Sequence, residues 1–189
     1  MRRSPVIAIF LAAASLAIVA TAQSPSLRSA RATPDDPTVV AIFDAANTAD
    51  IETGALAAAR AQNPAVREFG AMLVRDHQQV RQMGRDLAKK LGVTPTAPKD
   101  DASAKAHAAA IESLRSKSGG QFDRAFLQHE AAFHKSVIDA VNTTLLPAIR
   151  NEELRALVVK VAPAFQAHML AAQDLEKKLG GTSSPNRYR

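Results

Sequence analysis

The stretch Gln121–Leu146 constrains this chain more than any other. Phe122, Phe126, Phe133, Val137 and Val141 recur at helical spacing and make one apolar face. At ~1.5 Å per residue, a helix over this stretch is about 39 Å long. Glu130 and His134 sit inside that face, one turn apart on the same side. A carboxylate and an imidazole in a core are costly unless other groups satisfy them. The rest of the chain must therefore supply helices to cover the face and partners for these two side chains.

The composition suits that demand. Aromatic residues make up only 4% and Trp is absent, which favours helices over a β-sandwich. A first helix is expected from about Thr38 to Gln62, with Val40, Phe43, Ile51 and Ala58 along one side. Asn63 caps a second helix that starts at Pro64, carries Phe69, Leu73, Val80, Met83 and Leu87, and stops at Gly92. Thr94–Asp101 reads as a Pro-containing loop, and Asp101 as the cap of a short helix from Ala102 to about Lys117. Ser118-Gly119-Gly120 breaks that helix before the central stretch begins. Pro147 closes the central helix. Asn151 caps a last one that runs to Leu179, with Leu154, Val158, Val161, Phe165, Met169 and Ala172 inward and a kink expected at Pro163.

Loop lengths supply the topology. Tight turns make the first two bundle helices antiparallel, and the last two likewise. The 29 residues from Gly92 to Gly120 are enough to run the length of the bundle. One long crossover between two helical hairpins is an all-α, ferritin-like four-helix bundle, here with a short extra helix in the crossover between helices 2 and 3. A plain up-and-down bundle with a decorated loop is the competing topology.

Several polar residues fall on inner faces. On a 100° wheel, Asp76 lies in the middle of the second helix's stripe and His77 at its edge. Glu130 and His134 lie within the third bundle helix's stripe, with His129 at its margin, and His168 sits beside Phe165 and Ala172. In the first helix Asp50 shares the Phe43 side, while Glu52 points roughly opposite; the wheel does not choose between them. Imidazoles and carboxylates converging in a bundle core suit a divalent metal such as zinc, iron or manganese. The plainer reading is a polar network in which each group satisfies another. His107, in the crossover, reads as a surface residue. Asn142-Thr143-Thr144 matches a glycosylation pattern, but its helical setting points to chance.

The two ends bear on location. Arg2-Arg3, the apolar run Val6–Ala20 and the small residues Ala20-Thr21-Ala22 form an expected signal peptide over 1–22. The Ser-Pro that follows the arginines favours general secretion over the twin-arginine route. Residues 23–37 read as a flexible leader, 38–180 as the bundle domain and 181–189 as a disordered tail. The expected location is the periplasm, with outer-membrane association as a variant and no transmembrane anchor after cleavage. With no Cys, the chain lacks disulfides, thiolate ligands and a lipid-bearing Cys. The mature net charge of +4, spread along helix faces, shows no basic patch, so nucleic acid is not an expected partner. No phosphate loop, G-x-S-x-G elbow or H-E-x-x-H pair is present, so no organic cofactor is implied and no nucleophile and base pair can be named for a hydrolase.

Four stretches together resemble a known family: Asp50-Ile51-Glu52-Thr53-Gly54, then Phe69 through His77, then Phe122-Asp123 with His134, then Pro163 through His168. In order, spacing and residue type they are similar to the bacterial domain-of-unknown-function 4142 family. The resemblance runs from about Pro37 to Leu179. It implies an exported ferritin-like bundle of the bacterial envelope, of a kind often labelled as an outer membrane protein. It also favours Glu52 over Asp50 as the functional acid of the first helix. The metal-ligand set expected on this basis is Glu52, His77, Glu130, His134 and His168, with Asp50, Asp76 and His129 as supporting residues. True di-iron proteins use Glu-x-x-His on two helices. Here Val74, Ala131 and Phe165 stand three residues before His77, His134 and His168, so that full ligand set is absent. An envelope interaction module with a purely structural polar core is the alternative expectation.

Overall fold

The computed structural model describes residues 33–99 and 102–181. The expected signal peptide, most of the leader, Asp101 and the tail from Thr182 onward lie outside the described residues. Six helices follow in order: α1 (Asp36–Arg60), α2 (Pro64–Leu91), α3 (Ala102–Arg115), α4 (Gly119–Ala140), α5 (Leu146–Ala148) and α6 (Glu152–Gly181). No strand occurs among the described residues.

Helix ends follow local chemistry. The Asp35 carboxylate accepts from Thr38 N–H at 3.0 Å, with Pro37 in the first turn of α1. The Asn63 side chain accepts from Ala65 N–H at 2.8 Å. At the other end of α2, Gly92 adopts φ +66°, the left-handed stop that glycine tolerates. Asn151 accepts from Leu154 N–H at 3.0 Å and starts α6. Pro163 does not end α6, which stays helical through it. One feature was not expected. The central helix changes at Val141–Leu145 into a wide π-turn before α5. Pro147, which lacks an N–H and directs its ring at the carbonyl four residues back, lies just beyond that turn.

Two antiparallel hairpins, α1–α2 and α4–α6, make the bundle. α3 and the linker before it form the crossover, as the ferritin-like topology requires. Each hairpin turn is tied to the other hairpin by a carboxylate. Asp123, buried in the first turns of α4, accepts from Gln62 N–H at 2.9 Å and Asn63 N–H at 2.8 Å. Asp36, at the start of α1, accepts from Arg150 N–H and Asn151 N–H, both at 2.9 Å. These bonds place the α1–α2 turn beside the start of α4, and the α4–α6 turn beside the start of α1.

The core has two apolar clusters. One, near the start of α1, gathers Val39, Phe43, Val141, Leu145, Ile149 and Val158. The other, near the end of α1, gathers Val66, Phe69, Leu73, Phe122, Phe126 and Leu127. Between the hairpin arms α1 and α2 the backbones approach closely. A Cβ on Gly70 would lie 2.7 Å from the Gly54 carbonyl oxygen and 2.8 Å from Ala57 Cβ. Gly70→Val must therefore push two backbones apart. It is expected to destabilise the fold by about 2 kcal/mol and lower Tm by ~4–8 °C in thermal melts.

Candidate metal centre

Between the two apolar clusters lies a polar layer, and each of the four long bundle helices contributes to it near its middle. α1 gives Asn47 and Asp50, α2 gives His77, α4 gives Glu130 and His134, and α6 gives His168. All six are buried, with Asn47, Glu130 and His134 at 0% exposure. The three imidazoles form a near-equilateral triangle, with ring centroids 5.6 Å (His77–His134), 5.1 Å (His77–His168) and 5.4 Å (His134–His168) apart. Phe165 packs against two of them, 5.3 Å from His77 and 5.9 Å from His134.

The hydrogen bonds fix which nitrogen of each ring carries the proton. Asn47 donates its amide to the Phe43 carbonyl at 2.8 Å, which turns its oxygen toward His77 Nδ1 at 2.9 Å. His77 Nδ1 is therefore the donor. His134 Nδ1 donates to the Glu130 carbonyl at 2.9 Å. His168 Nε2 donates to the Asp76 carboxylate at 3.1 Å. These partners leave three lone pairs, on His77 Nε2, His134 Nε2 and His168 Nδ1. His77 Nε2 and His168 Nδ1 lie 3.2 Å apart. With both protons held elsewhere, that contact sets lone pair against lone pair unless a cation or an added proton intervenes. Orienting an imidazole through its second nitrogen is how metal-binding histidines are commonly held.

The carboxylates tell the same story. Asp50 and Glu130 are buried, and as carboxylates none of their four oxygens has a hydrogen-bond partner, although a proton on either would bond it to the other; His134 Nε2 lacks a partner too. Asp50 lies 3.5 Å from His77 Nδ1 and 3.8 Å from His134 Nε2, and Glu130 lies 3.6 Å from His134 Nδ1. Two ligand sets, His77–His134–His168 and Asp50–Glu130–His134, each bring their donor atoms within 4.8 Å of one another. Burial, followed by the Glu130 charge, pushes the Asp50 carboxyl well above the usual carboxylate range. Burial also raises Glu130 to about 7, against the opposing pull of Thr53 and Asp50. Burial lowers His77 to about 3 and His134 to about 4, with neighbouring histidines adding to the effect. The layer therefore resists charging in either direction on its own, and a divalent cation between two carboxylates would neutralise it.

The structure brings His77, Glu130, His134 and His168 together as the sequence expects. It does not bring Glu52 to them. Glu52 is an outward-facing residue that accepts from His107 Nε2 at 2.7 Å, and Asp50 occupies the inner position. The acid expected only as support is thus the one in the layer. Asp76 is half-exposed and orients His168. His129 is half-buried at the margin of α4, stacked on Phe133 at 5.9 Å, and stands outside both ligand sets. Asn47 went unnoticed in the sequence. Its signal was present: it continues the Val40–Phe43–Asp50 stripe of α1, but an uncharged amide does not stand out as a site residue.

Comparison with known proteins now places the chain. It belongs to the family described as "Domain of unknown function (DUF4142)", whose model matches residues 21–175. A solved chain described as "CopM in the Cu(II)-bound form" is similar to it in structure, with a TM-score of 0.60 at 14% identity over 77% of this chain and 98% of the other. At that identity the likeness concerns the fold alone. No curated protein matches the chain.

The shifts predict an opposite pH response for acids and bases in metal-free protein. The raised carboxyls hold protons that the unfolded chain releases above its ordinary carboxylate values, so they weaken the fold as pH rises toward and past 7. The lowered histidines weaken it as pH falls below 6.5. Asp50→Asn removes an acid contribution and leaves the histidine one. In chelator, its Tm should match wild type within ~2 °C at about pH 5 and exceed it by ~5 °C at about pH 9, read from melts across that range.

Proposed function

We propose that this family member binds a divalent transition metal in the polar layer, through His77 Nε2, His134 Nε2, His168 Nδ1, Asp50 and Glu130, and carries it in the cell envelope. The observation that supports this reading most is the buried meeting of three imidazoles, each with one nitrogen held elsewhere, and two carboxyl groups, in two sets whose donor atoms lie within 4.8 Å of one another. A structural polar network would be expected to satisfy its own members; here Asp50 and Glu130, as carboxylates, and His134 Nε2 stay unsatisfied. Three imidazoles with carboxylates and no thiolate suit Cu(II) or Zn(II), and the usual affinity order puts copper first. The similar solved chain is described as Cu(II)-bound, so copper joins zinc, iron and manganese as the metals to test. The donors surround the layer from all four sides and are sealed by Phe165. A closed set of this kind favours holding a metal over processing a substrate at it.

Export accords with this role. Among the described residues no helix is long and apolar enough to cross a membrane. An exported, unanchored bundle would hold metal between the membranes, where its histidines are neutral and able to bind.

Elemental analysis of the purified protein tests the reading. After incubation with Cu²⁺ or Zn²⁺ and desalting, about one metal ion per chain is expected. His134→Ala should abolish it. Asp76→Ala should keep the ligands but weaken affinity about 10–100-fold by freeing His168. Glu52→Ala should change nothing, and acidification should release the metal. A chain that stays metal-free with copper, zinc, iron and manganese would refute the proposal.

A further inference from the structure

The crossover shapes a second feature, distinct from the metal layer. α3 is thinly packed: Leu114 is its only buried residue. Hydrogen bonds tie the crossover to α1 at both ends. Thr96 N–H donates to the Pro37 carbonyl at 3.1 Å, and His107 reaches Glu52. At the far end the Arg60 guanidinium donates to the Arg115 carbonyl at 3.2 Å and the Lys117 carbonyl at 2.9 Å. Beside the crossover lies a cavity of about 1150 Å³, lined by Val93, Pro95 and Pro98 of the crossover and by residues of α1, α2, α4 and α6. Phe133 and Val137, on the apolar face of α4, are half-buried and line this cavity. A well-packed core leaves no gap on this scale, and the volume is that of a ligand site.

The lining chooses the ligand. The inner wall is aliphatic and aromatic, supplied by residues such as Phe43, Phe133, Val137 and Val161. Water would find few partners there. The fully charged residues of the lining come from one stripe of α2, Arg81, Arg85 and Lys89, and from the neighbouring turn of α1, Asp44. Arg85 is paired to Asp44 by two bonds of 2.5 and 3.0 Å. Arg81 donates to the Thr48 hydroxyl at 3.2 Å, and among the described residues neither Arg81 nor Lys89 has a carboxylate partner. A long apolar trough with uncompensated positive charge along one edge is complementary to an anionic amphiphile.

We infer that the cavity beside the crossover binds a single-chain acyl anion, a fatty-acid carboxylate, with its chain along the α1–α4 seam and its carboxylate at Arg81, Lys89 adding positive charge two turns further along α2. Asn47 and Phe165 border both this cavity and the polar layer, but none of the five proposed metal donors lines the cavity, so the inference stands whether or not a metal binds there.

The test uses the full mature protein and a fluorescent dansyl fatty acid, displaced by laurate or palmitate. Saturable binding is expected, with dodecanol and dodecyltrimethylammonium at least about tenfold weaker than laurate. Arg81→Gln with Lys89→Gln should weaken laurate about tenfold and leave dodecanol unchanged. Ala140→Phe, which fills the α4 wall, should abolish binding while circular dichroism and metal content stay those of wild type. His134→Ala should lose metal and keep laurate binding, which separates this inference from the metal reading. Absence of saturable binding, or equal affinity for laurate and dodecanol, overturns the inference. So does a dimer in solution that Ala140→Phe dissociates without any bound acyl chain, because the seam would then be covered by a second copy.

Discussion

Two carboxyl groups with no hydrogen-bond donors, Asp50 and Glu130, sit between two apolar clusters at the middle of the bundle. The groups around them present neutral imidazole lone pairs rather than positive charge. Three imidazoles arrive from three helices, each turned by a group behind it: the Asn47 amide, the Glu130 carbonyl and the Asp76 carboxylate. Removing any of these orienting groups frees a ring to rotate, after which the lone pairs need not converge. The layer thus depends as much on what stands behind the imidazoles as on the imidazoles themselves. A neutral, well-packed layer of leucines would be the more stable core. The polar one makes sense as a receptor for charge.

The helices must be held in register for that layer to form. Close approach at Gly54 and Gly70 fixes α1 against α2, and Gly84 receives the Phe43 ring in the same way. Those contacts set the height of Asp50 relative to His77. The pairing of α4 with α6 sets Glu130 and His134 against His168. Small residues in one hairpin and large ones in the other reach the same end, a layer in which four helices present their middles at one level.

Much of this was legible in the sequence, because the signals are local. Asn63-Pro64 and Gly92 mark both ends of α2 where the structure has them, and the length of Gly92–Gly120 distinguishes a crossover from a turn. His77, Glu130, His134 and His168 stand out as polar residues on apolar stripes. What escaped depends on how helices meet. Asp50 and Glu52 are two residues apart on an alanine-rich helix whose apolar stripe is weak, so its inner side is set by where α2 and α4 press on it. The family resemblance pointed to Glu52, whose role in the structure is to hold His107 of the crossover. The π-turn at Val141–Leu145 and the open seam beside Phe133 and Val137 have no local signature, since both arise from Pro147 and the crossover acting on a regular helical pattern.

The carboxylates at the hairpin turns carry a consequence for how the chain folds. Asp123 is 60 residues from Asn63, and Asp36 is 115 residues from Asn151. Neither turn can be completed by its own hairpin. In an isolated α1–α2 arm the N–H groups of Gln62 and Asn63 would face water, as would those of Arg150 and Asn151 in an isolated α4–α6 arm. Each arm therefore finishes the other's bend only when the two dock. Such reciprocity makes half-folded chains poor in satisfied backbone and gathers the gain into one late step. The two turns are mutually closing clasps, and the six side chains of the polar layer share one level only when both hairpins are docked.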